Sequence, residues 1–136
     1  MVALNRYTTV DNDRVRRSTA SRVNADIDKK TDENIRHYST LDKLEVSRRI
    51  RELDGEWDVE RVLEVNASSL ALSGLVLSFV ANRKWLYLTG GVLAFLLQHG
   101  VQGWCPPLPV LRRLGARTRG EIDREKYALK ALIDQK

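Results

Sequence analysis

The chain has 136 residues, with 23 basic and 18 acidic side chains, and hydrophobic residues make up 43% of it. These values are typical of one ordinary globular domain. Eight glycines and three prolines exclude a collagen-like or low-complexity chain, and the single cysteine, Cys105, excludes an internal disulfide scaffold.

The charged side chains are distributed very unevenly along the chain. Residues 65–101 contain only two of them, Arg83 and Lys84, whereas residues 1–64 and 102–136 contain the other 39. The average composition therefore conceals a central segment suited to a different solvent from the rest of the chain.

The first 38 residues are polar, mixed in charge and poor in large apolar side chains. A segment of this kind buries too little apolar surface to offset the entropy of ordering it. We therefore expect residues 1–38 to form a mostly disordered tail, apart from a short helix near Asp32–Tyr38.

Residues 39–64 carry the pattern of an amphipathic helix. Ser39 or Thr40 is a candidate N-cap, and Asp54-Gly55 favours a kink near the end. One apolar stripe recurs at helical spacing, formed by Val46, Ile50, Leu53 and Trp57. A stripe flanked by arginines can lie on a membrane surface or pack in a protein interface, and the sequence leaves both alternatives open.

Two uncharged runs, Val65–Ala81 and Trp85–Val101, lie on either side of a short polar joint at Asn82-Arg83-Lys84. As helices, each would cover about 25 Å, the short end of the length needed to cross a bilayer. Tryptophan and tyrosine occur near the joint and near both outer ends, as in membrane interfaces. The pattern predicts a transmembrane helical hairpin over residues 65–104, with a buried hairpin in a soluble helical bundle as the alternative.

Basic residues near the outer ends of the two runs outnumber those at the joint by eight to two. Because positive residues are retained on the cytoplasmic side, this places both termini in the cytoplasm. The first 20 residues contain acids and lack an apolar core, so we expect neither a cleavable signal peptide nor a transit peptide. The basic C-terminal segment predicts contact with lipid head groups rather than nucleic acid, through Arg112, Arg113, Arg117 and Arg119.

The last segment, residues 105–136, begins with the proline cluster Pro106-Pro107-Leu108-Pro109. Proline cannot continue a helix, so the second run ends by Cys105. Thr118 and Glu121 have the spacing of a capping box, and the helix that follows carries an apolar stripe at Ile122, Leu129, Leu132 and Ile133.

Centring the hairpin on Arg83 places Ala67 level with His99 and brings the polar residues of both runs to the cytoplasmic end. The set comprises Glu64, Asn66, Ser68, Gln98, His99 and Gln102. Polar side chains at such a depth form either a proton, anion or solute site or hydrogen bonds between the helices. The second interpretation is favoured, since water is within reach at the interface.

Small residues at four-residue spacing occur in the first run, as Ser69–Ser73 and Gly74–Ser78. Such pairs allow helices to approach closely, so we expect them to promote either a homo-oligomer or packing within the hairpin itself. The sequence contains no phosphate-binding loop, nucleophile triad or metal-ligand spacing. We therefore expect no enzyme activity, cofactor or metal, and a conformational role for Cys105 in the turn.

The element Gly103-Trp104-Cys105-Pro106, which closes a two-span hairpin, resembles the YgaP-like inner-membrane domain family of bacteria. Residues 52–61, 97–105 and 121–130 extend the resemblance to a longer subgroup. The resemblance implies a bacterial inner-membrane location and dimerisation through the hairpin, and it supplies no catalytic residue. Some family members carry a rhodanese domain; residues 1–64 are too few for it and contain no cysteine, so its sulfurtransferase activity is not carried over.

Together these patterns predict an all-α inner-membrane protein that serves as a membrane-anchoring or oligomerising interaction module, with a protein partner bound by its cytoplasmic helices. The first alternative is an oligomeric permeation protein for a small solute or sulfur species. The second is a soluble helical-bundle interaction protein.

Overall fold

In the computed structural model, residues 13–136 are described, and this part of the chain contains helices and no strand. The all-α prediction is thus confirmed for these residues. The α-helices are α1 Arg14–Arg17, α2 Ser21–Ser39, α3 Lys43–Gly55, α4 Val59–Val80, α5 Leu86–Gln102, α6 Leu108–Arg113 and α7 Arg119–Gln135. A 3-10 helix, Arg83–Trp85, precedes α5.

Helices α4 and α5, called here the apolar helix pair, pack against each other in antiparallel directions. The Thr89 hydroxyl near the start of α5 donates to the Ala71 carbonyl in the second half of α4, at 2.9 Å. Gly74 is buried at the same crossing, next to Thr89 and the Trp85 carbonyl. At the joint, Asn82 caps the 3-10 turn by accepting the Lys84 N–H at 3.0 Å.

Most of the outer surface of the apolar helix pair is exposed, although it consists of large apolar side chains. Phe79 is 83% exposed, Val80 80% and Leu97 70%. Within Lys43–Val80, one 18-residue helical window with mean hydropathy 1.5 is long and apolar enough to cross a membrane by length and composition, and 17% of it is buried. Helix α5 has 17 residues.

Helices α2, α3 and α7 form a second unit, called here the polar bundle. Its core contains apolar side chains of α3 and α7, namely Val46, Ile50, Leu53, Ile122 and Leu129. The stripe predicted on α3 therefore packs against α7 of the same chain, and the membrane-surface alternative is wrong for these residues. Trp57 lies in the break between α3 and α4, which follows Gly55, and is half exposed.

The prediction of a disordered tail is wrong for residues 21–38, which belong to the 19-residue helix α2. Burial of Ile27 and Thr31 on one face contributes to its order. On the same helix, Asp28 pairs with Arg16 at 2.8 Å and Asp32 with Arg124 at 2.7 Å. Residues 1–12 of the predicted tail lie outside the described residues.

The predicted caps have mixed outcomes. Thr118 and Glu121 form the expected capping box at the start of α7. Ser39, however, is the last residue of α2, and Asp42 caps α3 by accepting the Glu45 N–H at 3.1 Å. The predicted amphipathic helix over 39–64 is thus divided between α3 and the start of α4.

A second core, called here the base core, joins the polar bundle to the apolar helix pair. Helices α1 and α6 pack against the first turns of α4, and the shared side chains are Val15, Val59, Leu63, Cys105 and Leu108. The Val59 N–H donates to the Arg117 carbonyl at 2.8 Å. The start of α4 is thereby fixed to the segment that leads into α7.

Gly74 offers a test of the α4–α5 crossing. A Cβ atom at Gly74 would lie 2.5 Å from the Thr89 hydroxyl and 3.1 Å from the Trp85 carbonyl oxygen. We expect Gly74→Ala to destabilise the protein by about 1–3 kcal/mol through overpacking. Gly90→Ala is the matched control, because a Cβ there meets nothing within 4 Å and alanine raises helix propensity. Thermal unfolding in mild detergent, followed by circular dichroism, measures both; equal melting temperatures for the two variants would contradict the crossing.

Candidate functional site

A cavity of about 390 Å³ lies where α4, α5 and α6 meet. We call it the apolar groove. Most of its lining is apolar, from Leu63, Leu70, Val92, Leu96 and Leu111 among others. Asn66, His99 and Cys105 add the few polar atoms. An apolar cavity with few polar groups is the usual form of a ligand site.

His99 is the one residue of the predicted polar set that the structure buries; its exposed fraction is 7%. Its Nδ1 atom is buried and has no hydrogen-bond partner within residues 13–136. Its Nε2 atom lies 3.8 Å from the Glu60 carboxylate, beyond hydrogen-bond distance. A buried nitrogen without a hydrogen-bond partner destabilises the fold. His99 is therefore a candidate functional residue.

The other residues of the predicted set are not gathered into one cluster. Glu64 and Ser68 are exposed, Asn66 donates to the Val62 carbonyl of its own helix at 2.9 Å, and Gln98 donates to Gln102 within α5 at 3.3 Å. The interhelical hydrogen bonds predicted for this set are therefore absent among these contacts.

The predicted alignment of the two helices, with Ala67 opposite His99, is also shifted. The His99 side chain lies near Glu60, which is closer to the start of α4 than Ala67 is. The 3-10 turn Arg83–Trp85 belongs to the returning side of the joint. The sequence analysis centred the turn on Arg83. In the structure, the centre of the turn lies before this residue.

The element Gly103-Trp104-Cys105-Pro106 forms the sharp exit from α5. Gly103 has φ 76°, which favours glycine. A Cβ there would also lie 2.8 Å from the Arg14 Cβ, so glycine permits α1 to approach. Trp104 and Pro106 are exposed at the surface, whereas Cys105 is 4% exposed in the base core.

The chemistry of Cys105 follows from its surroundings. Burial raises the pKa of its thiol, against the effect of the Leu108 backbone N–H. A raised pKa reduces the thiolate fraction, which is the reactive form. Cys105 is therefore a structural thiol that contributes to the floor of the apolar groove.

Two of the four arginines predicted to contact lipid are buried in ion pairs, and that prediction is wrong for them. Arg112 is 1% exposed and forms a bidentate pair with Glu121 at 2.6 and 2.7 Å. Arg117, 8% exposed, pairs with Glu125 and with Glu56, each at 2.5 Å. Arg113 is exposed, and Arg119 is partly exposed while paired with Asp58 at 3.1 Å.

The carboxylates that pair with these arginines were not predicted from the sequence as ion-pair partners. Arg16 and Arg112 hold Glu121, and Arg49 and Arg117 hold Glu125. Burial opposes ionisation of both glutamates, but the arginines outweigh it and hold their pKa values below the usual range. The sequence does contain a feature that could have indicated these pairs. Two acids lie on the same helical face as Ile122 and Leu129, and charged residues on a buried face need partners.

A second cavity of about 480 Å³ lies between α2, α3 and the segment joining α6 to α7. Three cations of its lining, the buried Arg112 and Arg117 and the partly buried Arg49, pair with the carboxylates of Glu121, Glu125 and Glu56. These three cations are therefore already engaged within the protein. Within residues 13–136, no group of three or more His, Cys, Asp or Glu side chains is placed to hold a metal ion.

Comparisons with protein-family models, with curated proteins and with solved structures give no match to this chain. The functional argument consequently depends on its own residues.

Gly103 and Gly115 form a matched pair for testing the exit from α5. Both have positive φ, 76° and 92°, but a Cβ at Gly115 meets nothing within 4 Å. Each alanine substitution costs roughly 1–2 kcal/mol of backbone strain. We expect Gly103→Ala to cost about 1–3 kcal/mol more, because it also displaces α1. Melting temperatures in mild detergent measure the difference, and equal losses would show that α1 does not dock there.

The buried glutamates predict the acid sensitivity of the polar bundle. Because the folded-state pKa of Glu121 is lowered, its ionised form stabilises the fold above its ordinary pKa of 4.5, and this stability is lost as pH falls through the folded pKa. Glu121→Gln leaves Arg112 buried without its carboxylate, at a cost of about 3–5 kcal/mol. The variant should also lose less stability than wild type between about pH 6 and about pH 3.

Glu52→Gln is the control for this experiment, because Glu52 is 53% exposed and 3.4 Å from Arg49. Denaturant unfolding at the two pH values gives the free energies. An unchanged pH dependence in Glu121→Gln would contradict the assignment of its ionised state.

Proposed function

We propose that the protein is a membrane-anchored helical interaction module, in which the apolar helix pair spans the bilayer and the polar bundle lies at its cytoplasmic side. One observation carries the proposal, namely the opposite placement of apolar side chains in the two units. Leu53 and Leu129 of the polar bundle are 0% exposed, whereas Phe79 and Tyr87 of the apolar helix pair are more than 80% exposed. An apolar surface of this extent needs a lipid or protein cover.

The contacts between the flanks of the pair support two crossings rather than one. Residues before α4 and residues after α5 share buried ion pairs, such as Arg16 with Glu121 and Arg49 with Glu125. Segments in direct contact lie on one side of a bilayer, so the chain between them must cross it an even number of times. The charge asymmetry of the flanks favours the cytoplasm as that side.

Permeation is the weaker alternative. It requires the polar residues of the two helices to meet, whereas Asn66, Gln98 and Gln102 bond within their own helices. Two helices also enclose no pore. The resemblance to YgaP-like membrane domains agrees with an anchoring role, and we propose a homodimer formed through the exposed surface of the pair.

Fractionation tests the location directly. We expect the protein to stay in bacterial membranes during alkaline carbonate extraction and to be released by detergent, since tens of exposed apolar side-chain atoms would otherwise enter water. Release by carbonate alone would overturn the membrane proposal and favour a soluble helical assembly.

Single cysteines test the orientation, in a Cys105→Ser background that removes the native thiol. We expect a cysteine at Lys84 in the joint to react with a membrane-impermeant maleimide on intact spheroplasts. A cysteine at Gln135 should react only after permeabilisation, because both flanks lie inside. The opposite labelling pattern would reverse the proposed orientation.

A further inference from the structure

The apolar groove is continuous with the exposed surface of the apolar helix pair. Leu70 and Phe95 line the groove and are themselves 50% and 49% exposed. At its other end, Cys105 lies in the base core and Leu111 packs against it, whereas the lining residues Pro107 and Val110 are exposed. The cavity is therefore open towards the side on which acyl chains would lie and also reaches the surface beside α6.

The polarity of the groove changes along its length. The end near Leu70 and Val92 is apolar, whereas the end near α6 contains His99, whose side chain is buried and whose Nδ1 has no partner in the described part of the chain. A buried polar atom of this kind is normally satisfied by hydrogen bonding to a protein group, a water or a ligand. The groove thus offers apolar contact in its depth and one hydrogen-bonding group at its interfacial end.

We propose that the apolar groove binds one acyl chain of a cytoplasmic-leaflet phospholipid, with the lipid ester oxygen accepting a hydrogen bond from the His99 imidazole. A phospholipid has this same order of groups, with its chain in the bilayer and its ester at the interface. Arg61 on α4 and Arg113 on α6 are exposed cations on two of the helices that line the groove, which favours an anionic head group. This inference rests on the proposed membrane location and adds a specific ligand site to it.

The site can be tested by filling the groove. Val92→Trp and Ala67→Trp place an indole where the acyl chain would lie, and Leu72→Trp is the matched control, because Leu72 is 61% exposed and outside the lining. The proteins are purified in mild detergent with added phosphatidylglycerol and examined by native mass spectrometry. We expect wild type and Leu72→Trp to retain one lipid per protomer, and the groove variants to retain at least about tenfold less.

His99→Phe tests the polar end separately, since it keeps a ring of similar size and removes both nitrogens. We expect its retained lipid fraction to fall roughly threefold to tenfold, the effect of one lost hydrogen bond.

A measurement on the wild-type protein does not depend on whether a variant folds. Phosphatidylglycerol with a diazirine in its acyl chain should label groove residues such as Leu96 in preference to outward residues such as Leu93.

The outcomes separate this inference from the proposed function. Carbonate release would remove both. Retention in the membrane with equal lipid loss in groove and control variants, or with uniform diazirine labelling, would overturn the lipid site alone. A lipid-free dimer that dissociates in Val92→Trp but persists in Leu72→Trp would also overturn it and assign the groove to a second copy of the chain.

Discussion

Two carboxylates on one helix determine how the polar half of this protein is assembled. Glu121 and Glu125, one turn apart on α7, are both almost completely buried. Each is held by two arginines, and the four arginines come from four different segments of the chain. Burying such charges is costly unless every one is paired. The ion pairs therefore specify a single arrangement of α1, α3, α6 and α7, while Val46 and Ile122 contribute the apolar burial beneath them.

The base core converts this arrangement into a fixed platform for the apolar helix pair. Val59 and Leu63 at the start of α4 are buried against Leu108 of α6. The glycine at the end of α5 lets α1 close over the same region. One end of the apolar helix pair is thus enclosed by the protein, while the other end, at Arg83–Trp85, is exposed. The apolar groove lies at the transition, where protein contacts on α4 and α5 give way to an open apolar surface.

Sequence patterns predicted the features that depend on neighbouring residues. The capping box at Thr118, the break after Gly55 and the uncharged runs that become α4 and α5 all follow from local spacing. The order of α2 was missed because it depends on partners far away in the chain: Asp32 and Arg124 are 92 residues apart. The burial of Arg112 was missed although Glu121 is only nine residues away, because its other partners, Thr19 and Asn24, are 93 and 88 residues away. Polar composition alone indicates solvent exposure, and only the fold shows which charges face one another. The candidate site was predicted in part, since His99 and Cys105 were singled out but their enclosure by α6 was not.

The position of α7 at the end of the described chain has a consequence for biogenesis. Helices α2 and α3 leave the ribosome well before the carboxylates that order them, and α4 and α5 are made in between. Until Glu121 and Glu125 have been synthesised, Arg16 and Arg49 therefore lack their partners on α7. Synthesis of the uncharged segment consequently precedes closure of the bundle. A chain stalled before α7 would present arginines without their α7 partners and the bare apolar face of α3, which are features that cellular quality control can distinguish from the finished protein.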